Sequence, residues 1–222
     1  MIKSLVFFRR RPDLDVAAFR RHWQTTHRDL VTAIPGLRRY VQHPTDDSGY
    51  RRHEPSYDGV AELCFDDLEA LRALNDDPAT AAVLDDEQNF LDPASRGQLL
   101  TEEVVVVDGD PAAGGVTMFA FLNRLAGSDP AAFSRYWRET HGPIAARVPG
   151  MRRYVQNHVI ANIYAAGREP LYDGVAQTWF DDLEAIRMSA SSAELAATRA
   201  DEGNFMVTGR LPFVICTPLV IV

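Results

Sequence analysis

Two histidines at equivalent places in the chain are its first candidates for acid–base chemistry. His27 ends the segment Trp23-Gln-Thr-Thr-His27, and His141 ends the similar segment Trp137-Arg-Glu-Thr-His141. Burial lowers the histidine pKa below its reference of about 6.5, which leaves a neutral ring able to accept a proton near pH 7. Both histidines are therefore predicted to be general bases. The competing interpretation is a satisfied structural histidine on an apolar helix face.

A tyrosine and a glutamine follow each histidine on a predicted strand. In the segment Arg38-Arg39-Tyr40-Val41-Gln42, the two-residue period of a strand puts Tyr40 and Gln42 on one face. If this face meets the helix, the Tyr40 hydroxyl can approach His27 and donate to a developing oxyanion. The equivalent catalytic and binding residues of the second segment are Tyr154 and Gln156.

Aromatic side chains near the histidines suggest a small-molecule pocket, which usually combines an apolar shell with a few polar groups. The two tryptophans are expected to form apolar walls. The two asparagines follow the second helix of each half, where they can reach a ligand or merely close the helix end. The predicted substrate-binding residues are Trp23, Gln42, His53, Tyr57, Asn89, Trp137, Gln156, Tyr172 and Asn204.

The first helix of each half must carry its histidine inward. Phe19, Trp23 and His27 fall at i, i+4 and i+8, so the imidazole continues the apolar stripe of a helix. Asp15 is expected to cap the start of this helix, and Pro35-Gly36 to end it. The second half repeats the pattern with Asp129, Phe133, Trp137, His141 and Pro149-Gly150.

The whole chain is a tandem duplication whose motifs recur at an almost constant offset. The histidine segments are 141 − 27 = 114 residues apart, and Tyr57-Asp-Gly-Val-Ala61 recurs as Tyr172-Asp-Gly-Val-Ala176 at 172 − 57 = 115. Segment 109–115 contains glycine and proline and is predicted to be a linker. It separates a first domain, residues 1–108, from a second domain, residues 116–222.

Each repeat is predicted to run β-α-β-β-α-β, so the fold class is α+β with two fused ferredoxin-like repeats. The last predicted strands, 104–107 and 219–222, are apolar at consecutive positions, which implies burial on both faces of the sheet. Because two helices cover only one face, the other repeat is expected to cover the second, sheet to sheet, as an intramolecular dimeric α/β barrel. Further association of such pseudo-dimers into a homodimer stays open.

Charge and composition argue against several classes of protein. With 222 residues, a net charge of −8 and a pI near 5.2, the chain lacks the basic surface expected of a nucleic-acid-binding protein. No apolar run is long enough for a membrane span, and the N-terminal charge order is the reverse of a secretory signal. A cytoplasmic location without membrane partners is therefore expected. The histidine and cysteine spacings match no metal motif, so no metal is predicted.

The ordered set of motifs resembles the EthD-like family of dimeric α/β-barrel proteins. These motifs are Trp-x-x-Thr-His, Pro-Gly-x-Arg-Arg-Tyr-Val-Gln, Tyr-Asp-Gly-Val-Ala and Asp-Glu-x-Asn-Phe, and they occur twice. The resemblance implies ferredoxin-like units with a pocket between sheet and helices, usually without a cofactor. Haem on a helix histidine is a remote alternative, because some relatives by fold bind it. Other relatives by fold are muconolactone-type isomerases, aromatic polyketide cyclases and cofactor-free monooxygenases.

The resemblance also implies site residues. The family's helix histidine corresponds to His141, within Thr-His-Gly-Pro, and to His27, where Arg28-Asp29 replaces Gly-Pro. A site like that of methylmuconolactone isomerases would use His27, Tyr40 and His53. The second repeat is slightly favoured as the working one because its histidine motif is intact. Its apolar 157–167 loop is predicted to serve as a lid or as a subunit contact.

Three functions follow as hypotheses. The leading one is a cofactor-independent enzyme that acts on a small hydrophobic aromatic, quinonoid, polyketide or lactone substrate. It would use His/Tyr proton transfer for an isomerisation, a cyclisation or an elimination. One alternative is a non-catalytic protein that binds a hydrophobic metabolite for a partner. The other is a cofactor-free monooxygenase.

Overall fold

Each sequence repeat folds as strand, helices, two strands, helices and a closing strand. The computed structural model describes residues 1–209 and 211–222 and divides into two units. Unit 1 comprises Met1–Leu100 and Pro218–Val222, and unit 2 comprises Thr101–Thr217. The units therefore follow the two repeats except at the end of each repeat.

Unit 1 is a mixed α+β unit. Its elements are β1 (Ile2–Phe8), α1 (Val16–His22), a π-helical turn (Trp23–His27), α2 (Arg28–Thr32), β2 (Arg39–Pro44), β3 (Gly59–Phe65), α3 (Leu68–Arg72), α4 (Pro78–Glu87) and the start of β4 (Gly97–Val107). The strand order β4-β1-β3-β2 is that of a ferredoxin-like sheet, and β3 is antiparallel to both β1 and β2. Every residue of β1 is buried, so both faces of this strand are covered. The last predicted strands are less buried than expected, because Val105, Val220 and Val222 are exposed.

Unit 2 repeats the plan. Its elements are β5 (Val116–Leu122), α5 (Pro130–Tyr136), a π-helical turn (Trp137–His141), α6 (Gly142–Ala145), β6 (Met151–Val159), α7 (Ala161–Ala165), β7 (Gly174–Phe180), α8 (Leu183–Ala190), α9 (Ala193–Glu202) and β8 (Phe213–Cys216). The strand order β8-β5-β7-β6 matches that of the first repeat. The predicted ferredoxin-like order is therefore present twice.

The ends of the two repeats differ from the sequence prediction. The first repeat ends in β4, which begins at Gly97 rather than near Val104, and its Thr101–Val107 part pairs with β6 inside unit 2. The second repeat ends in two short strands, because β8 precedes β9 (Leu219–Val220), which pairs with β2 inside unit 1. Apolar content alone predicted β9 and missed β8.

A π-helical turn interrupts the first helix of each repeat, where the sequence predicts one continuous α-helix. The main-chain N–H of Arg28 donates to the Trp23 carbonyl, and that of Gly142 donates to the Trp137 carbonyl, each five residues back. Such single π turns are rare and occur frequently at functional sites. Here each turn begins at the tryptophan and ends at the histidine of the repeated motif.

Aspartate side chains begin the helices as predicted. Asp15 accepts a hydrogen bond from the main-chain N–H of Ala18, and Asp129 accepts one from that of Ala132. Among the described residues, no helix has the length and the apolar composition that a bilayer crossing requires.

Candidate functional site

Each repeat joins its helix histidine to an aspartate carboxylate. His27 Nδ1 lies 3.0 Å from Asp86 Oδ2, and His141 Nδ1 lies 2.9 Å from Asp201 Oδ2. Because a carboxylate only accepts hydrogen bonds, Nδ1 carries the proton in both rings. The lone pair of each neutral ring is therefore on Nε2, which forms no hydrogen bond within residues 1–209 and 211–222. This is the arrangement of a general base held in one tautomer.

The last helix of each repeat supplies these aspartates. Asp86 is in the last turn of α4, and Asp201 is in the last turn of α9. Three residues later, the side chains of Asn89 and Asn204 donate to the two carboxylates, each at 3.0 Å. Both asparagines are exposed at the helix end, so they orient the aspartate rather than reaching a buried ligand.

A phenylalanine packs against each imidazole. The ring centroids of His27 and Phe90 are 4.6 Å apart, and those of His141 and Phe205 are 4.8 Å apart. Both histidines are buried, with 6% and 5% of their surface exposed. The repeated Asp-Glu-x-Asn-Phe motif thus supplies the carboxylate, its orienting amide and the aromatic wall of the histidine.

Burial and the carboxylate act in opposite directions on the histidine pKa. Burial lowers the pKa of His27 and of His141 below the ordinary value, and the neighbouring aspartate partly opposes this shift. Burial alone would raise the pKa of Asp201, but hydrogen bonds from His141, Tyr136 and Asn204 lower it. The resting pair is therefore a neutral imidazole beside an ionised carboxylate.

The two aspartates differ in their third partner. In the first repeat Asp86 also contacts His22, whose Nε2 lies 2.9 Å from Oδ1. In the second repeat the Tyr136 hydroxyl donates to Asp201 at 2.8 Å. His22 and Tyr136 occupy equivalent positions, 114 residues apart. Neither was among the residues predicted from sequence.

The tyrosine of each repeat binds the glutamine two residues later. Gln42 Nε2 donates to the Tyr40 hydroxyl at 2.7 Å and to the Trp23 carbonyl at 2.8 Å. The predicted hydrogen bond between Tyr40 and His27 is not observed in the described part of the chain, where the Tyr40 hydroxyl binds Gln42 instead. The amide instead ties the strand to the carbonyl that opens the π turn.

The second repeat has the same amide bridge. Gln156 Nε2 donates to the Trp137 carbonyl at 2.8 Å and to the Tyr154 hydroxyl at 3.3 Å. The indole N–H of Trp137 also donates to this hydroxyl, at 3.0 Å. As in the first repeat, tyrosine and glutamine lie on the predicted face of the strand, but the tyrosine does not bind His141.

Each of the two tyrosine hydroxyls, those of Tyr40 and Tyr154, can still donate a hydrogen bond. Each accepts from the glutamine amide, and no described residue accepts from either hydroxyl. Burial raises the pKa of Tyr154 to about 12 and raises that of Tyr40 as well. The hydroxyls therefore stay neutral near pH 7 and are able to donate to a ligand oxygen.

A glycine makes room for each tryptophan ring. A Cβ atom at Gly59 would lie 2.7 Å from the Trp23 ring, and one at Gly174 would overlap the Trp137 ring. Both tryptophans are fully buried. The glycine of the Asp-Gly pair in the repeated motif thus permits a close approach between strand and helix.

The second repeat contains a buried histidine that the sequence did not single out. His158 Nε2 lies 3.0 Å from Gln156 Oε1, and its Nδ1 lies 2.9 Å from Ser134 Oγ. Its ring centroid is 4.4 Å from that of Trp137. Burial, with a smaller effect of Arg138, lowers the pKa of His158 to about 4. The equivalent residue of the first repeat is Pro44.

Three predicted binding residues lie elsewhere. His53 is exposed, and its Nδ1 lies 3.0 Å from the carbonyl oxygen of its neighbour Glu54, so the predicted grouping of His53 with His27 and Tyr40 does not form. The rings of Tyr57 and Tyr172 pack against phenylalanines of the adjacent first strands, at centroid distances of 4.8 and 5.0 Å.

The 157–167 segment is anchored to its own unit. It ends β6 and forms the short helix α7. The Tyr164 hydroxyl donates to Asp173 at 2.7 Å, and Asp173 also pairs with Arg124. In the first repeat Tyr50 makes the same contact with Asp58, at 2.6 Å.

In the part of the chain that the structure describes, no group of three or more His, Cys, Asp or Glu side chains is arranged to hold a metal ion.

The fold and the duplicated site define a class of protein with two ferredoxin-like repeats, each of which holds a histidine–aspartate pair. The EthD domain family matches the sequence twice, over residues 11–94 and 125–209. The chain belongs to the EthD family. No curated protein sequence matches it significantly.

Solved structures share the fold over both repeats. A "putative monooxygenase" from Lactobacillus acidophilus has a TM-score of 0.57 at 12% identity, covering 100% of this chain and 99% of its own. An anthrone oxidase-like protein has a TM-score of 0.65 at 14% identity, covering 98% and 90%. A mutant chlorite dismutase from Candidatus Nitrospira defluvii has a TM-score of 0.55 at 10% identity, also covering 98% and 90%. At these identities the likeness concerns the fold alone.

Proposed function

We propose that the protein is a cofactor-independent enzyme in which a histidine–aspartate pair removes a proton from a small hydrophobic substrate. The observation that carries this proposal is the hydrogen bond between His141 Nδ1 and Asp201, repeated between His27 and Asp86. It leaves Nε2 as the basic atom of a buried, neutral ring. A positioned base of this kind contributes about 10²- to 10⁴-fold to a rate.

The other groups have roles that follow from their hydrogen bonds. The aspartate stabilises the imidazolium that forms when Nε2 takes the proton. The Tyr40 or Tyr154 hydroxyl donates to the oxygen on which negative charge develops. The same imidazolium can return the proton at another atom, which completes an isomerisation, a cyclisation or an elimination without an oxidant. Aromatic, quinonoid, polyketide and lactone compounds fit such chemistry because each offers an acidic C–H or O–H beside a carbonyl or ring.

The test begins with a thermal-shift screen of phenols, quinones, polyketide-like aromatics and lactones. A ligand present at about 100 times its dissociation constant adds about 2.7 kcal/mol to folding stability, which a melting curve detects. Turnover of the best ligands is then compared among wild type, His27→Ala, His141→Ala and the double variant. Glu139→Ala, an exposed neighbour on the π turn, is the matched control.

We expect the double variant to lose at least about 10²-fold in kcat/KM while it still binds ligand. Full turnover by the double variant would contradict the proposal. Ligand binding without turnover in the wild type would instead favour a non-catalytic binding protein. The purified protein is expected to show no Soret absorption, because no step needs haem.

A second candidate is cofactor-free oxygenation of a hydroxy-aromatic compound. It is favoured by the descriptions of two fold relatives as a monooxygenase and an anthrone oxidase-like protein. The same base would remove a phenolic proton, and dioxygen would be the oxidant. An oxygen electrode separates the two candidates, because only the second consumes dioxygen during turnover.

A further inference from the structure

Two imidazoles share the carboxylate of the first repeat. Asp86 Oδ2 lies 3.0 Å from Nδ1 of His27, and Asp86 Oδ1 lies 2.9 Å from Nε2 of His22. Because an ionised carboxylate only accepts hydrogen bonds, Nε2 of His22 carries a proton. One negative charge thus lies between two rings, each of which can become positive.

The second repeat has the same geometry with a hydroxyl in place of the second imidazole. Tyr136 occupies the position of His22 and donates to Asp201 at 2.8 Å. The two rings also pack alike, because each has its centroid 5.4 Å from that of a phenylalanine, Phe90 or Phe205, at interplanar angles of 25° and 20°. The hydrogen bond to Asp201 raises the pKa of Tyr136, so this partner stays neutral where a histidine changes charge.

The two imidazoles beside Asp86 differ in their access to water. Of the His22 side chain 28% is exposed, against 7% of the His27 side chain. In the described part of the chain, Nδ1 of His22 has no hydrogen-bond partner, so it can take a proton from water. Burial disfavours the charged form of an imidazole. The more exposed ring, that of His22, should therefore be protonated first.

A proton on His22 changes the strength of the neighbouring base. The positive ring cancels the charge of Asp86, which otherwise opposes the effect of burial on His27. Burial already lowers the pKa of His27, and the positive charge of His22 lowers it further. The imidazolium that His27 forms during proton transfer is then less stable, so His27 is a weaker base.

We infer that His22 is a positioning residue that makes the His27 base of the first repeat sensitive to mild acid, whereas Tyr136 leaves the His141 base of the second repeat insensitive to it. The two repeats thus hold similar bases under different control. This inference deepens the proposed function, on which it rests for the claim that His27 acts as a base.

Two further charged groups lie near the first pair. Beyond the effect of burial, Arg96 lowers the pKa of His27, and Arg96 pairs with Glu87 at 2.7 Å. Arginine stays charged throughout, so its effect is constant. Glu87 can titrate in acid, because burial raises its pKa, and burial also raises that of the equivalent Glu202. A response that came from this carboxyl would therefore appear in both repeats.

An NMR titration of ring-labelled histidines from neutral pH into acid tests the inference without a substrate. We expect His22 to be protonated first, and the signals of His27 to shift at the midpoint of His22 while His27 itself stays neutral. His27 should then be protonated in a second step at lower pH. His141 should be protonated in one step. Protonation of His27 before His22, or no response of His27 at the midpoint of His22, would overturn the inference.

Reciprocal substitutions exchange the partners of the two carboxylates. In His22→Tyr, His27 should lose the first step, and its midpoint should rise by about half a pH unit or more because Asp86 keeps its charge. Tyr136→His should give His141 a second step, a gain that misfolding cannot mimic. Thr26→Ala, an exposed and uncharged neighbour on the π turn, is the control. An unchanged His27 midpoint in His22→Tyr, or a single His141 step in Tyr136→His, would overturn the inference.

Failure of the inference is distinguishable from failure of the proposed function. Turnover is measured in the His141→Ala background, where only the first repeat keeps its base. We expect the rate to fall in two steps in acid with His22 and in one step with His22→Tyr. Full turnover by the variant that lacks both His27 and His141 would reject the base and leave the coupling seen by NMR. Loss of turnover in that variant, with a His27 midpoint that is independent of His22, would reject the coupling and leave the base.

Discussion

The carboxylate of Asp201 lies 2.9 Å from Nδ1 of His141 although the two residues are 60 positions apart in the chain. The first repeat places Asp86 at the corresponding distance from His27, 3.0 Å. Preservation of this contact in two halves of divergent sequence ties the end of the last helix of each repeat, α4 or α9, to the end of the π turn.

Replacement of Asp201 by asparagine should reduce turnover without unfolding the protein. The variant keeps an acceptor but loses the negative charge that stabilises the imidazolium, so we expect turnover at the second repeat to fall by about 10²-fold or more. The same holds for Asp86→Asn in the first repeat. Asp85→Asn, an exposed neighbour, is the control. Equal kcat values for the two variants and the control would remove the carboxylates from the mechanism.

The pH dependence of turnover should have its acidic limb below pH 6.5. Burial lowers the pKa of His141 and of His27, and each base works only while it is neutral. The rate should therefore be constant near neutrality and fall as pH decreases through the lowered pKa. Because the aspartate opposes the shift, Asp201→Asn should move the His141 limb to still lower pH. A limb that moves upward in this variant would show that the titrating group is not the paired imidazole.

Substitution of Gly59 by alanine should destabilise the first unit. The added Cβ would lie 2.7 Å from the Trp23 ring, which cannot move within a filled core. Overpacking of this kind costs about 1 to 3 kcal/mol in the free energy of unfolding. Gly203→Ala, where the new Cβ would be 3.8 Å from its nearest neighbour, is the matched control. Urea unfolding measures both, and equal stabilities would argue against the close approach.

Replacement of the buried Glu62 by glutamine should destabilise the protein near pH 7. Glu62 pairs with Lys3 at 3.1 Å and with Arg39 at 3.1 Å, and removal of one partner of a buried pair typically costs about 3 to 5 kcal/mol. The equivalent residue of the second repeat is Gln177, so glutamine fits this strand position. Glu69→Gln, at an exposed site, is the control.

The effect of Glu62→Gln should depend on pH in a defined direction. Burial alone would raise the pKa of Glu62, but Lys3, His43 and Arg39 hold it well below the ordinary value of a glutamate. A lowered folded-state pKa stabilises the protein above the unfolded-state pKa, and this contribution is lost as pH falls through the folded-state value. Denaturant titrations should thus show the gap between wild type and variant narrowing in acid. A gap that widens in acid would contradict the depressed pKa.

The duplication, the element order and the burial of both histidines follow from the sequence, because whole motifs recur and apolar periodicity is strong around them. The π turn does not, since Trp23-Gln-Thr-Thr-His27 has the same apolar spacing in either helix type. Apolar periodicity also does not predict the aspartate partners of the two histidines. Asp86 belongs to a repeated motif, so its recurrence was an available signal, but only the tertiary structure shows that it meets His27.

Differences between the repeats were harder to interpret from sequence. The contrast between Pro44 and His158 is visible in an alignment of the two halves. Only the folded structure shows, however, that His158 lies beside Gln156 and Ser134. Conversely, the sequence suggested that His53 joins His27 and Tyr40 in one site, yet His53 lies on the surface.

The state of the two imidazoles is the central claim and can be measured without a substrate. Nitrogen-15 NMR at pH 7 of protein with nitrogen-15-labelled histidines should show that His27 and His141 are neutral rings, protonated on Nδ1 and unprotonated on Nε2. Alanine variants assign the signals. Rings that carry the proton on Nε2, or that are fully protonated at pH 7, would contradict the base that these structures define.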